Sequence, residues 1–530
     1  MMPELNPFSL ISIFIFVLSL VSLFFSFSSS HPRPKTPCPR SYPIIGNLIG
    51  LLRNHHRFYD YVTDQFSDAR SLTIQVNGFI GLYHIVATVD PANLEHLLKS
   101  NFHNYVKGSR FNDNLFDLLG FGIFNADSEL WSVQRKIASH EFNTKSLKSF
   151  ISHIVQSEIS NRLIPYLKYA CEEEETLDLQ TVFQKFAFDN ICNLAFGVDP
   201  ACLDLNNLTN SSRCSTELSF VRAFDDAAEI CASRLMSPIP FIWKVKRFLN
   251  VGSEKRLKDA IGVIDDYAME IIRSKEEKLD TGNSDDKKDL LSRFMCSNFQ
   301  IDFNSPEARR KFYRDIVVSF MLAGKDSTSS ALTWFFWLIA GHPQCERLIY
   351  DEIARVMTTE TVNYDGLKSF DYLHAALTES MRLFPPVPMN SRITVRDDVL
   401  PDGTQVKKGW FADYSAYAMG RMESVWGPDC RIFKPERWLD GGDGAYQPFD
   451  QFKFPVFHCG PRICLGKEMA YVQMKSVAAA LIYNFEIVAV DGGGTPEKMW
   501  NPPYNVSLLL RMKGGLHVKL KRRQRKRNGG

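Results

Sequence analysis

Near its C-terminus the chain reads Phe457-His458-Cys459-Gly460-Pro461-Arg462-Ile463-Cys464-Leu465-Gly466. This run fills all five fixed positions of the pattern F-x-x-G-x-R-x-C-x-G. From average residue usage, a match by chance anywhere in the chain has a probability on the order of one in ten thousand. We therefore interpret the run as a functional loop built around one cysteine.

The residue types in this loop suit a cysteine that binds iron. A thiolate is a strongly donating axial ligand, and its electron density favours cleavage of the O–O bond of bound dioxygen. Gly460 and Gly466 allow tight turns that bring backbone N–H groups close to the sulfur of Cys464. Arg462 can donate a forked pair of hydrogen bonds to a carboxylate of an iron cofactor, and Phe457 can pack as an apolar cover.

The pattern F-x-x-G-x-R-x-C-x-G is the signature of the cytochrome P450 family, and the chain resembles that family over most of residues 44–520. The resemblance implies a mainly α-helical fold with a small β portion. It also implies that haem b is bound, with the Cys464 thiolate as the axial ligand of iron. The haem-binding residues that it assigns within the loop are Phe457, Gly460, Arg462, Cys464 and Gly466.

A long apolar run, Asp315–Gly341, carries Lys325 and Asp326 at its centre. Each such charge would cost ~2.5–3.5 kcal/mol on insertion into a bilayer, so the run predicts a buried helix of a soluble core rather than a membrane span. Its segment Ala323-Gly324-Lys325-Asp326-Ser327-Thr328 resembles the family motif A-G-x-[DE]-T-[TS]. In that family the helix passes over the open face of the haem.

Reduction of dioxygen consumes protons, which calls for a hydroxyl beside the gas and an acid behind it. The resemblance gives these catalytic roles to Asp326, Ser327 and Thr328. Ser327 stands where the family motif has its first threonine; it keeps the hydroxyl but lacks the β-methyl group that restricts the rotamer. We therefore expect proton delivery with looser coupling. Gly324 is expected to keep the backbone close to the iron.

Two segments outside the loop resemble other haem-binding parts of the family. Trp131 and Arg135 are four residues apart and share one face of a helix predicted over Asp127–His140. The family's W-x-x-x-R pair contacts a haem propionate, although such a pair alone also fits core packing with a snorkelling surface charge. Arg392 is a further expected propionate partner. It follows Pro385–Pro388, which in the family lines the pocket beside the haem.

Glu379-Ser380-Met381-Arg382 places an acid and a base one helical turn apart. Arg437 follows later, in Pro435-Glu436-Arg437-Trp438. An ion pair at this spacing is usually a solvated surface feature. In the family, however, E-x-x-R and the later arginine form a buried triad that braces the segment leading to the cysteine loop. The resemblance therefore predicts a structural charge cluster of Glu379, Arg382 and Arg437.

Composition limits the class of protein. Hydrophobic residues make up 45% and charged residues 23% of the chain, which is ordinary for a globular protein. The net charge of +2 gives no reason to expect nucleic acid as a partner. The eleven cysteines have no regular spacing, so neither a disulfide framework nor a zinc site is predicted. Cys459, five residues before Cys464, is interpreted as a small buried hydrophobe.

The N-terminus predicts a membrane anchor. Phe8–Phe27 is twenty residues without a charge, long enough to cross a hydrocarbon core as a helix. Basic residues follow it, so the positive-inside rule places the rest of the chain in the cytosol. The alternative is a cleaved signal peptide, which has a shorter apolar region preceded by positive charge. The Pro-rich segment that follows resembles the hinge of microsomal family members, which implies the endoplasmic reticulum membrane.

Three parts are therefore expected: a membrane anchor over residues 1–30, a proline-rich hinge over 31–47, and a haem-thiolate monooxygenase domain over 48–530. Alternating residues in that domain predict a small sheet from Ser71–Phe79 and Leu82–Val89. Further strands are predicted near the C-terminus, over Phe485–Val490, Asn505–Met512 and Gly515–Leu520.

The family resemblance implies a membrane-anchored monooxygenase that inserts one atom of dioxygen into an unactivated C–H bond. Because no flavin or nicotinamide domain is found in the sequence, the implied electron donor is NADPH–cytochrome P450 reductase. We expect it to dock through complementary charge near Arg135, Lys136, Lys453 and Lys467. The apolar segment Phe102–Phe124 is expected over the haem, as part of substrate entry.

The sequence around the motifs is similar to that of the plant clan of fatty-acid ω-hydroxylases. The similar segments include Ala138–Phe142, Tyr417–Arg421 and Gly466–Ala470. That clan also contains hydroxylases of jasmonoyl-amino acid conjugates and of sterol side chains. The shared inference is hydroxylation of a lipid-like substrate near the end of an aliphatic chain.

Two other functions stay open at this point. One is a haem-thiolate isomerase or dehydratase of lipid hydroperoxides, which would need no oxygen, reductase or protonation hydroxyl. The other is a non-catalytic haem carrier or sensor. Asp326 and Ser327 favour oxygen activation over both, because neither alternative needs a proton relay.

Overall fold

The computed structural model describes residues 36–42, 44–142, 144–205, 214–237, 239, 241–280, 289–297, 305–490 and 502–523. Helices dominate these ranges. In chain order they are α1 Leu48–Arg53, α2 Phe58–Ala69, α3 Pro91–Glu95, α4 Gly108–Leu119, α5 Ser128–Ser139, α6 Thr144–Ser149, α7 Gln156–Glu158, α8 Ile164–Glu172, α9 Leu179–Phe196, α10 Cys214–Met236, α11 Ile242–Leu249, α12 Ser253–Asp280, α13 Leu290–Cys296, α14 Pro306–Met321, α15 Ser327–Ala340, α16 Pro343–Val356, α17 Tyr364–Lys368, α18 Asp371–Leu383, α19 Ala416–Met419, α20 Glu423–Trp426 and α21 Lys467–Asn484.

The strands are short and form small sheets. They are β1 Thr73–Asn77, β2 His84–Thr88, β3 Tyr105–Val106, β4 Leu177–Asp178, β5 Asn390–Thr394, β6 Asp398–Val399, β7 Gln405–Val406, β8 Phe411–Tyr414, β9 Phe485–Ala489, β10 Tyr504–Asn505, β11 Arg511–Met512 and β12 His517–Arg522. The largest sheet has the order β1-β2-β8-β5-β3, and a second sheet has the order β4-β12-β9. The prediction of a mainly α-helical fold with a small β portion is confirmed.

The five-stranded sheet joins distant parts of the chain. The predicted pair of strands near residue 80 is confirmed as β1 and β2, which run antiparallel with Thr73 opposite Thr88. β2 pairs in parallel with β8, so that Ala87 lies opposite Asp413. β8 in turn pairs antiparallel with β5, where Ser391 lies opposite Asp413. This register brings residues more than 300 positions apart in the chain to one wall of the functional site.

The apolar run predicted as a buried core helix is found in the core. It is interrupted, however: α14 ends at Met321, a π-helical turn covers Leu322–Asp326, and α15 begins at Ser327. Every residue from Thr328 to Ile339 is buried. A π-helical turn inside an α-helix frequently marks a functional site, and this one coincides with the motif Ala323–Thr328.

The predicted anchor over residues 1–30 lies outside the described residues. Among the helices that are described, none is both long enough and apolar enough to cross a membrane. The described part of the predicted hinge is attached to β1. Gln75 donates its backbone N–H to the Pro37 carbonyl at 2.9 Å, and the Asn47 side chain donates to the Pro39 and Arg40 carbonyls at 2.9 and 3.0 Å.

Candidate active site

A cavity of about 790 Å³ runs through the protein. Its walls come from α4, α5, α9, the π-helical turn, α15, the segment Pro386–Met389 and the cysteine loop. Cys464 lies on this wall, and its side chain is exposed because it faces the cavity. Ser327 and Thr328 line the same cavity. The structure therefore brings the cysteine loop and the hydroxyls of the apolar helix to one space.

Local hydrogen bonds fix the position of Cys464. Its backbone N–H donates to the Phe457 carbonyl at 2.8 Å, which closes the loop. Although the Cys464 side chain is open to the cavity, it lies deep among protein atoms, and this desolvation raises the pKa of the thiol. The backbone N–H of Gly466 and the charges of Arg135 and Lys467 oppose the rise. A metal ligand must be a thiolate. Desolvation therefore disfavours the thiolate, while the Gly466 N–H and the nearby cations favour it.

The two loop glycines serve different contacts. Gly466 begins the turn into α21, and a Cβ there would lie 3.5 Å from Phe142 and 4.0 Å from the Cys464 sulfur. Gly460 has a φ of +62°, and a Cβ there would lie 2.0 Å from the Leu98 carbonyl oxygen. The prediction that both glycines serve the sulfur therefore fits Gly466, whereas Gly460 is required by its backbone angle and by its contact with Leu98.

A cluster of cations lies beside the cysteine loop. Arg462 donates to Asp127 at 2.7 Å and to the Ala126 carbonyl at 2.8 Å. Its guanidinium carbon lies 4.5 Å from the centre of the Trp131 ring. Arg392 is only 1% exposed and donates to the ring nitrogen of His458 at 2.6 Å. Trp131 and Arg462 line the cavity, as does Arg135.

Electrostatics show that this cluster lacks negative charge. Burial, together with the charges of Arg392 and Arg462, holds the pKa of Lys107 well below its ordinary value. Burial and Arg392 likewise lower the pKa of Arg462 to about 10. Among the described residues, Asp127 is the one carboxylate whose charge acts on Lys107, Arg392 and Arg462 alike. Buried cations are normally paired, so this cluster fits a ligand that brings carboxylates, as the two propionates of haem do.

Two members of the cluster were not predicted from the sequence. Lys107 precedes α4, and His458 stands inside the quoted loop with a φ of +62°. Because Arg392 can only donate, the Nε2 atom of His458 accepts from it. The Nδ1 atom lies 2.8 Å from the backbone nitrogen of Cys459 and 3.1 Å from its carbonyl oxygen. Burial lowers the pKa of His458 well below its ordinary value. The positive φ of His458, uncommon for a non-glycine residue, is seen only in the structure, so no pattern in the sequence pointed to this residue.

On the opposite wall, the hydroxyl of Ser327 donates to the Ala323 carbonyl at 2.6 Å. Asp326 is not on the wall. It is buried, and its Oδ1 accepts from Lys325 and from Arg511, each at 2.6 Å. Both cations also contact Asp225, at 2.9 and 2.8 Å. The structure therefore separates the predicted catalytic residues, with Ser327 and Thr328 at the cavity and Asp326 in an ion network behind them.

Gly324 has a packing role that the sequence did not predict. A Cβ there would lie 2.5 Å from the Ile191 side chain of α9. The absent side chain thus lets α9 approach the π-helical turn. Helix packing is therefore a second reason for this glycine. Gly324 also lines the cavity that Cys464 faces, where clearance around the iron was expected.

The structure brings together the predicted charge cluster of Glu379, Arg382 and Arg437. Arg382 donates to Glu379 at 2.8 and 2.7 Å, and the Nε atom of Arg437 lies 3.4 Å from Glu379. Trp438 adds a donor at 2.8 Å. All of these side chains are buried or nearly so. Arg382 also donates to the Cys430 carbonyl at 2.6 Å, so the cluster connects α18 to the segment that leads to the cysteine loop.

Comparison with known proteins identifies the class. The family model described as Cytochrome P450 matches residues 36–517, and the chain belongs to the cytochrome P450 family. It is a cytochrome P450 monooxygenase. The family uses haem b with a cysteine thiolate ligand and electrons from NADPH, delivered by a reductase; the haem supplies the oxygen-activating chemistry.

The relatives come from plants. The chain is 44% identical to "Cytochrome P450 94A1" of Vicia sativa over 491 residues, which cover 92% of this chain and 90% of the relative. It is 45% identical to "Cytochrome P450 94B1" of Arabidopsis thaliana over 512 residues, covering 95% of each chain. It is also 44% identical to "Cytochrome P450 94C1" of Arabidopsis thaliana over 469 residues, covering 88% and 89%.

Proposed function

We propose that this monooxygenase hydroxylates the terminal or near-terminal carbon of an aliphatic lipid, such as a fatty acid, a jasmonoyl conjugate or a sterol side chain. The observation that carries the proposal is the cavity. Its volume of about 790 Å³ has to hold the haem as well as the substrate, so the nature of the walls, rather than the volume, supports the proposal. Apolar side chains such as Leu115, Phe320 and Leu509 dominate its walls, and the cysteine loop and Ser327 share that space. Such a cavity suits a long apolar chain.

The positions of the site residues support the following roles. Cys464 would hold the haem iron through its thiolate, with Gly460 and Gly466 shaping its loop and Phe457 packing beside it. Trp131, Arg135, Arg392 and Arg462 would hold the haem propionates. Ser327 and Thr328 present hydroxyls at the oxygen-binding face, and Asp326 is the acid behind them. The Oδ2 atom of Asp326 is buried and receives no hydrogen bond from a described donor.

The proposed setting is the membrane of the endoplasmic reticulum, with residues 1–30 as a single-pass anchor, 31–47 as the hinge and 48–530 as a cytosolic domain. The surface of α11 supports contact with a bilayer. Phe248 is 89% exposed, and Ile242, Val245 and Leu249 are exposed beside it. Basic residues share this helix, and that combination is typical of a helix lying in a membrane interface.

The proposed electron donor is NADPH–cytochrome P450 reductase. Of the four basic residues expected to meet it, Lys136 is exposed on α5. Lys453 and Lys467 are partly buried, and the Lys453 ammonium lies 4.3 Å from the Phe449 ring centre. Arg135 lines the cavity and its charge acts on Cys464. Lys136 is therefore the cation we expect to matter most for docking, whereas Arg135 serves the haem.

The test is reconstitution of the full chain with purified reductase. Fatty acids, jasmonoyl conjugates and hydroxylated sterols would be scored by spectral shift on binding and by product mass. NADPH-dependent gain of one oxygen atom at the end of a chain supports the proposal. Conversion of a lipid hydroperoxide without NADPH would instead indicate an isomerase or dehydratase, and haem binding without any product would indicate a carrier or sensor.

A further inference from the structure

Most cations on the cavity wall have a partner or an assigned role. Arg234 is buried and donates to Asp117 at 2.8 Å and also to Glu254. Lys244 is exposed, 3.7 Å from Asp113. Arg135 and Arg462, with Lys107, belong to the cluster beside the cysteine loop. Arg110 is the remaining lining arginine.

The Arg110 side chain is held in place, but most of its hydrogen-bond donors have no acceptor among the described residues. Its guanidinium lies 4.2 Å from the centre of the Phe411 ring, a contact that fixes its plane through a cation–π interaction. A guanidinium has five N–H donors. Among the described residues its one hydrogen bond partner is Asp413, at a long 3.4 Å. The side chain is 16% exposed, and four donors are left without a protein acceptor at the edge of an apolar cavity.

Arg110 is electrostatically separate from the haem cluster, although Lys107 is only three residues away. The pKa of Lys107 responds to Arg392, Arg462 and Asp127. Arg110 instead acts on the pKa values of Tyr83 and Asp413, which lie on and beside the five-stranded sheet. The carboxylates that the haem cluster requires therefore do not account for Arg110.

Asp413 is a weak partner for this arginine. It is 1% exposed, and burial raises its pKa. Its Oδ1 atom also accepts a close hydrogen bond from Ser391. A ligand carboxylate in the cavity could take a forked pair of hydrogen bonds from Arg110, with better geometry than the 3.4 Å contact to Asp413.

We propose that Arg110 recognises the carboxylate of the substrate and is the residue by which this active site prefers acids to neutral lipids. The inference rests on the proposed lipid hydroxylation. Arg110 and Phe411 lie at the sheet side of the cavity, whereas Cys464 and Ser327 lie on the loop and the apolar helix. A head group held by Arg110 leaves the far end of the chain free to reach the haem, which agrees with oxidation near that end.

The experiment uses the full-length holoenzyme and three probes of equal chain length: dodecanoic acid, dodecan-1-ol and methyl dodecanoate. Dissociation constants would be measured by spectral titration. Arg110→Met removes the charge at similar length, and we expect it to weaken binding of the acid about tenfold to a hundredfold, with the alcohol and the ester unchanged. Asp413→Asn removes the competing anion and should tighten binding of the acid only.

Two controls separate this role from others. Lys244→Met removes another lining cation and should leave all three dissociation constants unchanged. The reduced carbonyl spectrum of Arg110→Met should match the wild type, since Arg110 is not a haem partner; loss of that spectrum would overturn the assignment. An equal effect of Arg110→Met on acid, alcohol and ester would indicate a structural role and also overturn it.

Failure of the proposed function is distinguishable from failure of this inference. If the wild-type protein forms no hydroxylated product from any lipid, the proposed function fails, and this inference fails with it. If the wild type hydroxylates lipids but binds the alcohol as tightly as the acid, only the role of Arg110 is overturned.

Discussion

The guanidinium of Arg382 donates two parallel hydrogen bonds to the carboxylate of Glu379, with distances of 2.8 Å between Nε and Oε2 and 2.7 Å between Nη2 and Oε1. Both side chains are fully buried. Glu379 also accepts from the Trp438 indole at 2.8 Å and from the Lys434 backbone at 3.0 Å. Burying such a pair is weak evidence of net stability, but each partner depends on the other.

Glu379→Ala would strand Arg382 as an unpaired buried cation, at a cost of ~3–5 kcal/mol. Because Arg382 anchors carbonyls of the segment that leads to the cysteine loop, we expect the variant to lose haem incorporation, measured as haem per polypeptide. Asp365→Ala is a matched control, since Asp365 and Lys368 form an exposed pair at the same spacing and should contribute nothing measurable. A Glu379→Ala protein with a normal haem spectrum would contradict this prediction.

Cys464→Ser and Cys459→Ser should differ in their spectra. Cys464 lies on the cavity wall, whereas Cys459 is fully buried and donates to the Gln451 carbonyl at 3.0 Å. Replacing Cys464 removes the thiolate and should abolish the band near ~450 nm of the reduced carbonyl complex, expected for thiolate ligation. Cys459→Ser should keep that band. The opposite pattern would assign the iron to Cys459.

Ser327→Ala should uncouple the reaction. The Ser327 hydroxyl lies at the cavity and follows Asp326 directly in the chain, and we expect it to pass protons from Asp326 to the cavity. We expect product formation to fall by about a hundredfold, with NADPH electrons recovered as hydrogen peroxide instead. Ser329→Ala is the control, because the Ser329 hydroxyl is buried and donates to the Lys325 and Asp326 carbonyls of the π-helical turn at 2.8 and 3.2 Å. Unchanged coupling in Ser327→Ala would exclude its role.

The sequence predicted best those parts of the site that are formed by residues close together in the chain. The cysteine loop, the Trp131–Arg135 helix and the Glu379–Arg382 pair each depend on residues no more than ten positions apart. Their local spacing carries the geometry, so reading the pattern was enough to place them together.

Contacts between distant residues were not predictable in the same way. Arg511 reaches Asp326 from a strand 185 residues later, and Ile191 fills the space that Gly324 leaves. Lys107 joins Arg392 and Arg462 only because β3, β5 and the cysteine loop converge. In each case tertiary packing determines which residue is the partner, and no pattern in the neighbouring sequence indicates that partner.

Two buried carboxyl groups away from the active site also face each other. Glu158 and Asp189 are 5% and 1% exposed. The Oε1 atom of Glu158 and the Oδ1 atom of Asp189 receive no hydrogen bond from a described donor. Their other oxygens accept from Arg162 and from the Cys202 backbone, each at 2.8 Å. One proton shared between the two groups would satisfy both free oxygens.

This pair predicts a stability that falls as pH rises. Burial, and next the charge of Glu158, raise the pKa of Asp189 well above its ordinary value, so the folded state holds a proton that the unfolded state has lost. The stabilisation by this proton is therefore fully present below the unfolded pKa of about 4. It is lost as the pH rises to the folded pKa, by about 1.4 kcal/mol for each pH unit that separates the two pKa values. Asp189→Asn keeps a hydrogen-bond donor for Glu158 and should make stability depend less steeply on pH. The measurement is the midpoint temperature of thermal unfolding between about pH 5 and 8.

Asp199→Asn is the control for that measurement. Asp199 bonds the same Arg162, at 2.7 and 2.6 Å, and hydrogen bonds from this arginine lower its pKa. A lowered pKa gives a contribution that is present above the unfolded pKa and lost only in stronger acid. The Asp199→Asn variant should therefore keep the wild-type slope over the tested range. Equal slopes in the wild type and Asp189→Asn would show that the two carboxyl groups share no proton.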